Sequence, residues 1–121
     1  MSDFDLLAEQ YIAVWNETDP TRRRKAVDAL WSVDGRYVDP MAAANGTDGI
    51  DATIGEVQEQ FAGWTFRLVG TVDAHHDQAR FRWELGPDGD EAPIVGFDVM
   101  EWDADGRLTQ VLGFLDKVPA A

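Results

Sequence analysis

Apolar residues near the start of the chain recur at spacings of three and four, the period of an amphipathic helix. This stripe predicts a first helix with Tyr11 on its buried face, and Ser2 with Asp5 fits a capping box at its start. A phenol on a buried stripe needs a partner or a ligand for its hydroxyl. The members of the stripe are Phe4, Leu7, Tyr11, Val14 and Trp15.

Two more helices are predicted from the same kind of signal. Asp19-Pro20 combines an N-cap residue with a proline suited to the first helical position, and this helix should run to about Trp31. We interpret its basic run, Arg22 to Lys25, as a solvated face, with phosphate binding as the alternative. The third helix should run from about Asp48 to Phe61 and end at Gly63; its inner face would carry Ile50, Ile54, Val57 and Phe61.

The hydrophobic period changes to two in the second half of the chain, which predicts strands. Before this change, Asp34-Gly35 is predicted as a turn, Arg36 to Asp39 as a short strand ended by Pro40, and residues 41–46 as a loop. The later strands are predicted at residues 65–75, 79–85 and 94–115, the last range being a hairpin that turns at Asp103 to Gly106. Helices first and a strand meander last predict an α+β fold, with three helices on the concave side of a curved antiparallel sheet.

Asp98 is the least expected residue in these strands. It lies between Phe97 and Val99, in a run that is apolar at both strand parities, so it should be covered on both sides. Burial favours the neutral form of a carboxyl and raises its pKa, which is typical of groups that move protons. A structural Asp that is hydrogen-bonded across the sheet remains the alternative.

Composition limits the classes of function. The 121 residues predict one domain, 1–121, and ten basic against 23 acidic residues give a formal charge of −13. Nucleic acid and anionic membranes need a positive surface, so we expect neither as a partner. There is no cysteine, no long apolar run and no set of metal ligands, so we expect a soluble cytoplasmic protein without metal or cofactor.

Three segments carry a resemblance to a known group of proteins. They are YIAVWNETD in the first helix, WSVDGRYVDP around the first strand and GFDVMEWDADGRL in the late hairpin. With this order of elements the chain resembles the NTF2-like superfamily and, within it, the SnoaL-like cyclases and the ketosteroid isomerases. The resemblance implies a cone-shaped, cystatin-like fold. It leaves function open, because this fold hosts isomerases, cyclases, hydrolases, dehydratases and proteins without catalysis.

The resemblance also assigns candidate roles. Tyr11 matches the tyrosine that donates a hydrogen bond to the substrate oxyanion in the isomerases, and Asp39, before Pro40, matches their general base. Asp98, eight residues before the hairpin glycine Gly106, matches their second, neutral oxyanion donor. SnoaL-like cyclases use an Asp at the Asp98 position as the acid/base itself. Asp39 has a structural alternative too, since an Asp before Pro often only organises a loop.

The remaining predictions concern the ligand and the assembly. We expect a cofactor-independent acid/base enzyme acting on a hydrophobic, carbonyl-containing small molecule, or a non-catalytic binding protein; an epoxide-hydrolase-like enzyme is a third reading. Trp31 and Ile54 stand where the isomerases have supporting tyrosines, and His75 could reach the cavity mouth. We also expect a homodimer formed through an outer sheet face that includes Val111, Gly113 and Leu115. The predicted substrate-binding residues are Trp15, Trp31, Ile54, Trp83, Met100 and His75.

Overall fold

The computed structural model describes residues 3–89 and 91–119 and contains three helices and six strands in those ranges. The predicted capping residue Ser2 lies outside the described residues. The order of elements confirms the predicted α+β class, with helices first and a strand meander last. The elements are α1 (Asp3–Asn16), α2 (Pro20–Leu30), β1 (Trp31–Val38), β2 (Ala43–Asn45), α3 (Gly46–Gln60), β3 (Thr65–His75), β4 (Gln78–Gly86), β5 (Ile94–Trp102) and β6 (Leu108–Lys117).

The strands form one curved, open sheet in the order β2-β1-β6-β5-β4-β3. The successive pairs from β3 to β6 are antiparallel, as predicted, whereas β1 runs parallel to β6. A parallel pair needs a long crossover connection, and α3 together with the four strands β2 to β5 provides it between β1 and β6. The hairpin turn is confirmed, and Gly106 adopts the positive φ of 79° that the turn requires.

The first strand departs from the prediction. The predicted turn at Asp34-Gly35 is wrong, because both residues lie inside β1, within a register irregularity between Trp31 and Arg36. The chain bulges there, and Gly35 is packed so closely that a Cβ on it would lie 2.5 Å from Cε3 of Trp31. The predicted loop at residues 41–46 also contains β2, which pairs with the end of β1.

The basic run of α2 is largely engaged in ion pairs. Asp19 caps the helix as predicted, accepting hydrogen bonds from the amides of Thr21 and Arg22 at 2.9 and 3.0 Å. Arg23 reaches across to α3, where it pairs with Asp51 at 2.9 Å; its side chain is only 12% exposed. Arg24 pairs with acidic residues on both helices, Asp28 and Asp48. These contacts fasten α2 to α3, which gives the run a structural role.

Helix α1 packs its buried face against the inner face of the sheet. The ring of Tyr11 lies 5.6 Å from that of Phe81, and the ring of Trp15 lies 5.4 Å from that of Tyr37. Aromatic contacts of this kind hold α1 at a fixed depth over the strands. No helix in the described part of the chain is long and apolar enough to cross a membrane.

The residues predicted to form an outer dimer face point the other way. Val111 and Gly113 are buried, and Leu115 lines the interior cavity, so this parity of β6 faces inward. Their partners across β5 explain the orientation, because Gly113 pairs with the inward-facing Asp98. The outer face carries Phe114 instead, stacked on Phe97 with ring centroids 4.8 Å apart. The homodimer stays a prediction, but Val111, Gly113 and Leu115 do not form its outer face.

Candidate active site

A cavity of about 360 Å³ opens between the helices and the inner face of the sheet. Most of its wall is aromatic or aliphatic, and two carboxyl groups and two phenols form its main polar part. Such an apolar pocket with a few convergent polar groups is typical of a small-molecule site. The lining residues are Tyr11, Ile12, Trp15, Tyr37, Asp39, Met41, Val57, Gln60, Phe61, Phe66, Trp83, Leu85, Ile94, Asp98, Leu115, Val118 and Pro119.

Asp98 lies at the centre of the sheet, on the inward-facing parity of β5. It is 3% exposed, and its Oδ1 accepts a hydrogen bond of 3.0 Å from Nε1 of Trp83 on β4. Burial raises the pKa of Asp98 to about 7, and the nearby Asp39 charge adds to this, while the Trp83 and Tyr11 side chains oppose it. A carboxyl that is half ionised near neutral pH can both take and give a proton.

Tyr11 reaches the same point from α1. Its hydroxyl is buried and has no hydrogen-bond partner among the described residues. The Asp98 carboxyl is close enough to affect the phenol, but the two do not form a well-aligned hydrogen bond. Burial first, and then the charge of Asp98, raise the pKa of Tyr11 well above its ordinary value. The side chain therefore stays a neutral phenol with a hydrogen to donate.

Asp39 is fully engaged by its own segment of the chain. Its Oδ1 accepts hydrogen bonds of 2.8 Å from the amides of both Met41 and Ala42, and its Oδ2 accepts one of 2.5 Å from Tyr37 Oη. These three donors occupy both oxygens of the carboxyl and tie it to its own loop. The structure thus shows the loop-organising contacts that were the structural alternative for this residue.

Tyr37 and Gly113 complete the site, and the sequence did not single out either for it. A Cβ on Gly113 would lie 2.9 Å from Asp98 Oδ1, 3.2 Å from Asp39 Cβ and 3.7 Å from Tyr37 Oη. The glycine therefore lets the two acidic side chains approach each other. A glycine inside a strand is itself a signal of close approach, and Tyr37 shares the strand parity of Asp39, so both signals were present in the sequence.

The predicted substrate-binding residues divide into three groups. Trp15 and Trp83 line the cavity. Trp31, Ile54 and Met100 are at most 2% exposed, and they pack in the solid core rather than on the cavity wall. His75 is exposed at the β3–β4 turn, next to Gln78, and lies on a separate surface depression.

Two alternative chemistries find no support in the lining residues. None of the described residues around the cavity is basic, so the Asp-Arg-Asp set of an epoxide-hydrolase-like reaction is not present there. Arg67 and Arg80 instead pair with Glu84 and Asp73 along the strands. Across residues 3–89 and 91–119, no group of three or more His, Cys, Asp or Glu side chains is arranged to hold a metal ion.

Comparison with known proteins places this architecture in a family. A SnoaL-like protein from Agrobacterium tumefaciens, proposed to be an isomerase, is 39% identical and superposes with a TM-score of 0.92, covering 96% of this chain and 99% of its own. A proposed polyketide cyclase from Sinorhizobium meliloti (15% identity, TM-score 0.71, 93% and 99% coverage) and an NTF2-like protein of unknown function from Cytophaga hutchinsonii (14%, 0.67, 96% and 91%) share the fold. No curated protein matches the sequence. The family model of the SnoaL-like domain matches residues 8–111, and the chain therefore belongs to the SnoaL-like family.

Proposed function

We propose that this protein is a cofactor-independent acid/base enzyme acting on a hydrophobic small molecule that contains a carbonyl group. The observation that carries the proposal is Asp98, a buried carboxyl with a pKa of about 7 on the wall of an apolar cavity. Raised carboxyl pKa values in clefts are typical of proton-transfer groups. This combination of a base, a phenol donor and apolar walls suits an isomerase or a cyclase, the activities proposed for two similar proteins.

The proposed step is removal of a proton from the carbon next to the carbonyl. Ionised Asp98 takes the proton, the C–H electron pair moves toward the carbonyl, and negative charge develops on its oxygen. The buried O–H of Tyr11 stabilises that oxygen by a hydrogen bond on the wall of a largely apolar cavity. Asp98 then returns the proton to another carbon, which is isomerisation. In the cyclisation alternative, the carbanion attacks a second carbonyl to form a C–C bond, and the resulting alkoxide takes the proton back from Asp98.

The hydrogen bonds of the two acids favour Asp98 over Asp39 as the base. Asp39 accepts from three donors, whereas Trp83 Nε1 is the donor whose bond to Asp98 has good geometry among the described residues. Asp39 is assigned to holding the loop at residues 39–42 and to keeping negative charge near Asp98.

Exchange of hydrogens next to a carbonyl for solvent deuterium tests this assignment without knowledge of the natural substrate. A panel of cyclic ketones and enones, followed by proton NMR in deuterium oxide, should show exchange with the wild-type protein. Asp98→Asn should slow it by about 100-fold or more, the usual contribution of a general base. Asp116→Asn, at an exposed position of β6, controls for the lost charge.

Two results would change the assignment. Loss of exchange in Asp39→Asn with retention in Asp98→Asn would make Asp39 the base, as in the ketosteroid isomerases. Binding of these compounds without exchange in any variant would identify a non-catalytic binding protein.

A further inference from the structure

The two phenols at the polar end of the cavity have opposite hydrogen-bonding needs. The hydroxyl of Tyr11 makes no well-aligned hydrogen bond among the described residues, although the Asp98 carboxyl is close enough to affect it, so its hydrogen can turn to a ligand. The hydroxyl of Tyr37 already donates its hydrogen to Asp39 Oδ2 at 2.5 Å. A tyrosine hydroxyl has one hydrogen and two acceptor lone pairs, so Tyr37 can offer the cavity only an acceptor.

The direction of the Tyr37 hydrogen is fixed by its surroundings. The other oxygen of Asp39 is held by the amides of Met41 and Ala42, which keeps the carboxylate in place as the acceptor. Burial, followed by the charges of Asp98 and Asp39, raises the pKa of Tyr37 well above its ordinary value, so the phenol keeps its proton. Within the described ranges, no residue is recorded as donating a hydrogen bond to Tyr37 Oη.

Space for a ligand atom exists beside this acceptor. Tyr37, Tyr11 and Asp98 all line the cavity of about 360 Å³, which gives a ligand room beside them. A Cβ on Gly113 would lie only 2.9 Å from Asp98 Oδ1 and 3.7 Å from Tyr37 Oη, so the absence of a side chain there lets these polar groups converge at one end of the cavity. A buried acceptor that no ligand group satisfies costs free energy, and a ligand that satisfies it gains selectivity.

We propose that the ligand of this cavity carries a hydroxyl, or another hydrogen-bond donor, a few bonds from its carbonyl, and that Tyr37 Oη accepts a hydrogen bond from it. This rests on the proposed function, which supplies the carbonyl at Tyr11, and it narrows the substrate class to hydroxy ketones and their enols. Tyr37 then determines specificity, while Asp39 is the positioning residue that holds its hydrogen away from the ligand.

Three related ketones test the proposal by isothermal titration calorimetry. They are 4-phenyl-2-butanone, 4-hydroxy-4-phenyl-2-butanone, which has a hydroxyl near the carbonyl, and its isomer 4-(4-hydroxyphenyl)-2-butanone, which has the hydroxyl at the para position of the ring. The derivative with the hydroxyl near the carbonyl should bind about five- to tenfold more tightly than the other two, the gain of one hydrogen bond. This comparison needs only the wild-type protein.

Two variants identify the residue responsible. In Tyr37→Phe the preference for the ketone with the hydroxyl near the carbonyl should disappear. In Tyr11→Phe all three ketones should bind more weakly, and that preference should remain. Equal binding of the three compounds to the wild-type protein, or a preference that survives in Tyr37→Phe, would overturn this inference and leave the carbonyl site intact. Failure of all three to bind would overturn the carbonyl site with it.

Discussion

Replacement of Asp98 by Asn should make the stability of the folded protein less sensitive to rising pH. The folded protein holds Asp98 with a pKa of about 7, against an ordinary value of 3.8. Between about pH 4 and 7 the folded chain therefore keeps a proton that the unfolded chain has lost, and stability falls as pH rises. Above pH 7 Asp98 is ionised in both the folded and the unfolded chain, so the stability lost between pH 4 and 7 is not regained. Asparagine has no charge to bury, and its Oδ1 can still accept the hydrogen bond from Trp83.

The size of the effect follows from the difference between the two pKa values. About three pH units, at about 1.4 kcal/mol per unit, correspond to about 4 kcal/mol. The group is 3% exposed, so screening by water reduces this little. Relative to the wild-type protein, Asp98→Asn should therefore gain about 4 kcal/mol of stability as the pH rises from 4 to 8, whatever its stability at pH 4.

Urea unfolding followed by tryptophan fluorescence at pH 4, 5, 6, 7 and 8 would measure this difference. The many other acidic groups titrate alike in both proteins, so their effect cancels in the comparison. Asp116→Asn removes a charge from an exposed position and corrects for the change in overall charge. A difference between Asp98→Asn and wild type that stays constant within about 0.5 kcal/mol over this range would refute the raised pKa, and with it the main support for Asp98 as the acid/base.

Three more substitutions test the surroundings of this carboxyl. Trp83→Phe removes the hydrogen-bond donor 3.0 Å from Asp98 Oδ1 and should raise the pKa of Asp98. Asp39→Asn removes a like charge and should lower that pKa. Carbon-13 NMR titration of the Asp98 carboxyl measures both shifts. A shift in the same direction for both variants would contradict the assigned causes. Gly113→Ala places a Cβ 2.9 Å from Asp98 Oδ1 and should cost about 1–3 kcal/mol in urea unfolding, the usual cost of overpacking; an unchanged stability would mean that the side chains move aside freely.

Much of the fold could be predicted because its signals are local. The helix stripes, the Asp19-Pro20 cap and the Gly106 turn each depend on a few neighbouring residues, and all appear at the predicted places. The errors occurred at Asp34-Gly35, where a turn dipeptide sits inside a strand. There the bulge and the pairing of β1 with the distant β6 override the local preference, and no local pattern contains that information.

The candidate site was only partly predictable, because strand parity gives direction but not depth. Parity correctly predicted that Asp98 and Met100 share an inward face. It could not show that the interior is hollow along β5 from Ile94 to Asp98 and beside Leu115 near the end of β6, but packed solid beside Met100 and Leu108. Hollow space depends on how all the layers fit together, which is why two of the predicted tryptophans line the cavity and a third does not.

The same limit explains why the two acids could not be ranked from the sequence. Asp39 and Asp98 are chemically identical, and resemblance offered either as the base. Their roles separate only when donors are counted: three hydrogen bonds tie Asp39 to its loop, while Asp98 is buried with one well-aligned donor and Asp39 as a neighbour of like charge. Backbone amides of residues 41 and 42 supply two of those donors, and amides carry no sequence signal. Burial with few donors makes Asp98 hold its proton more tightly than an ordinary carboxyl, and the different roles of the two acids follow from the loop that Asp39 organises.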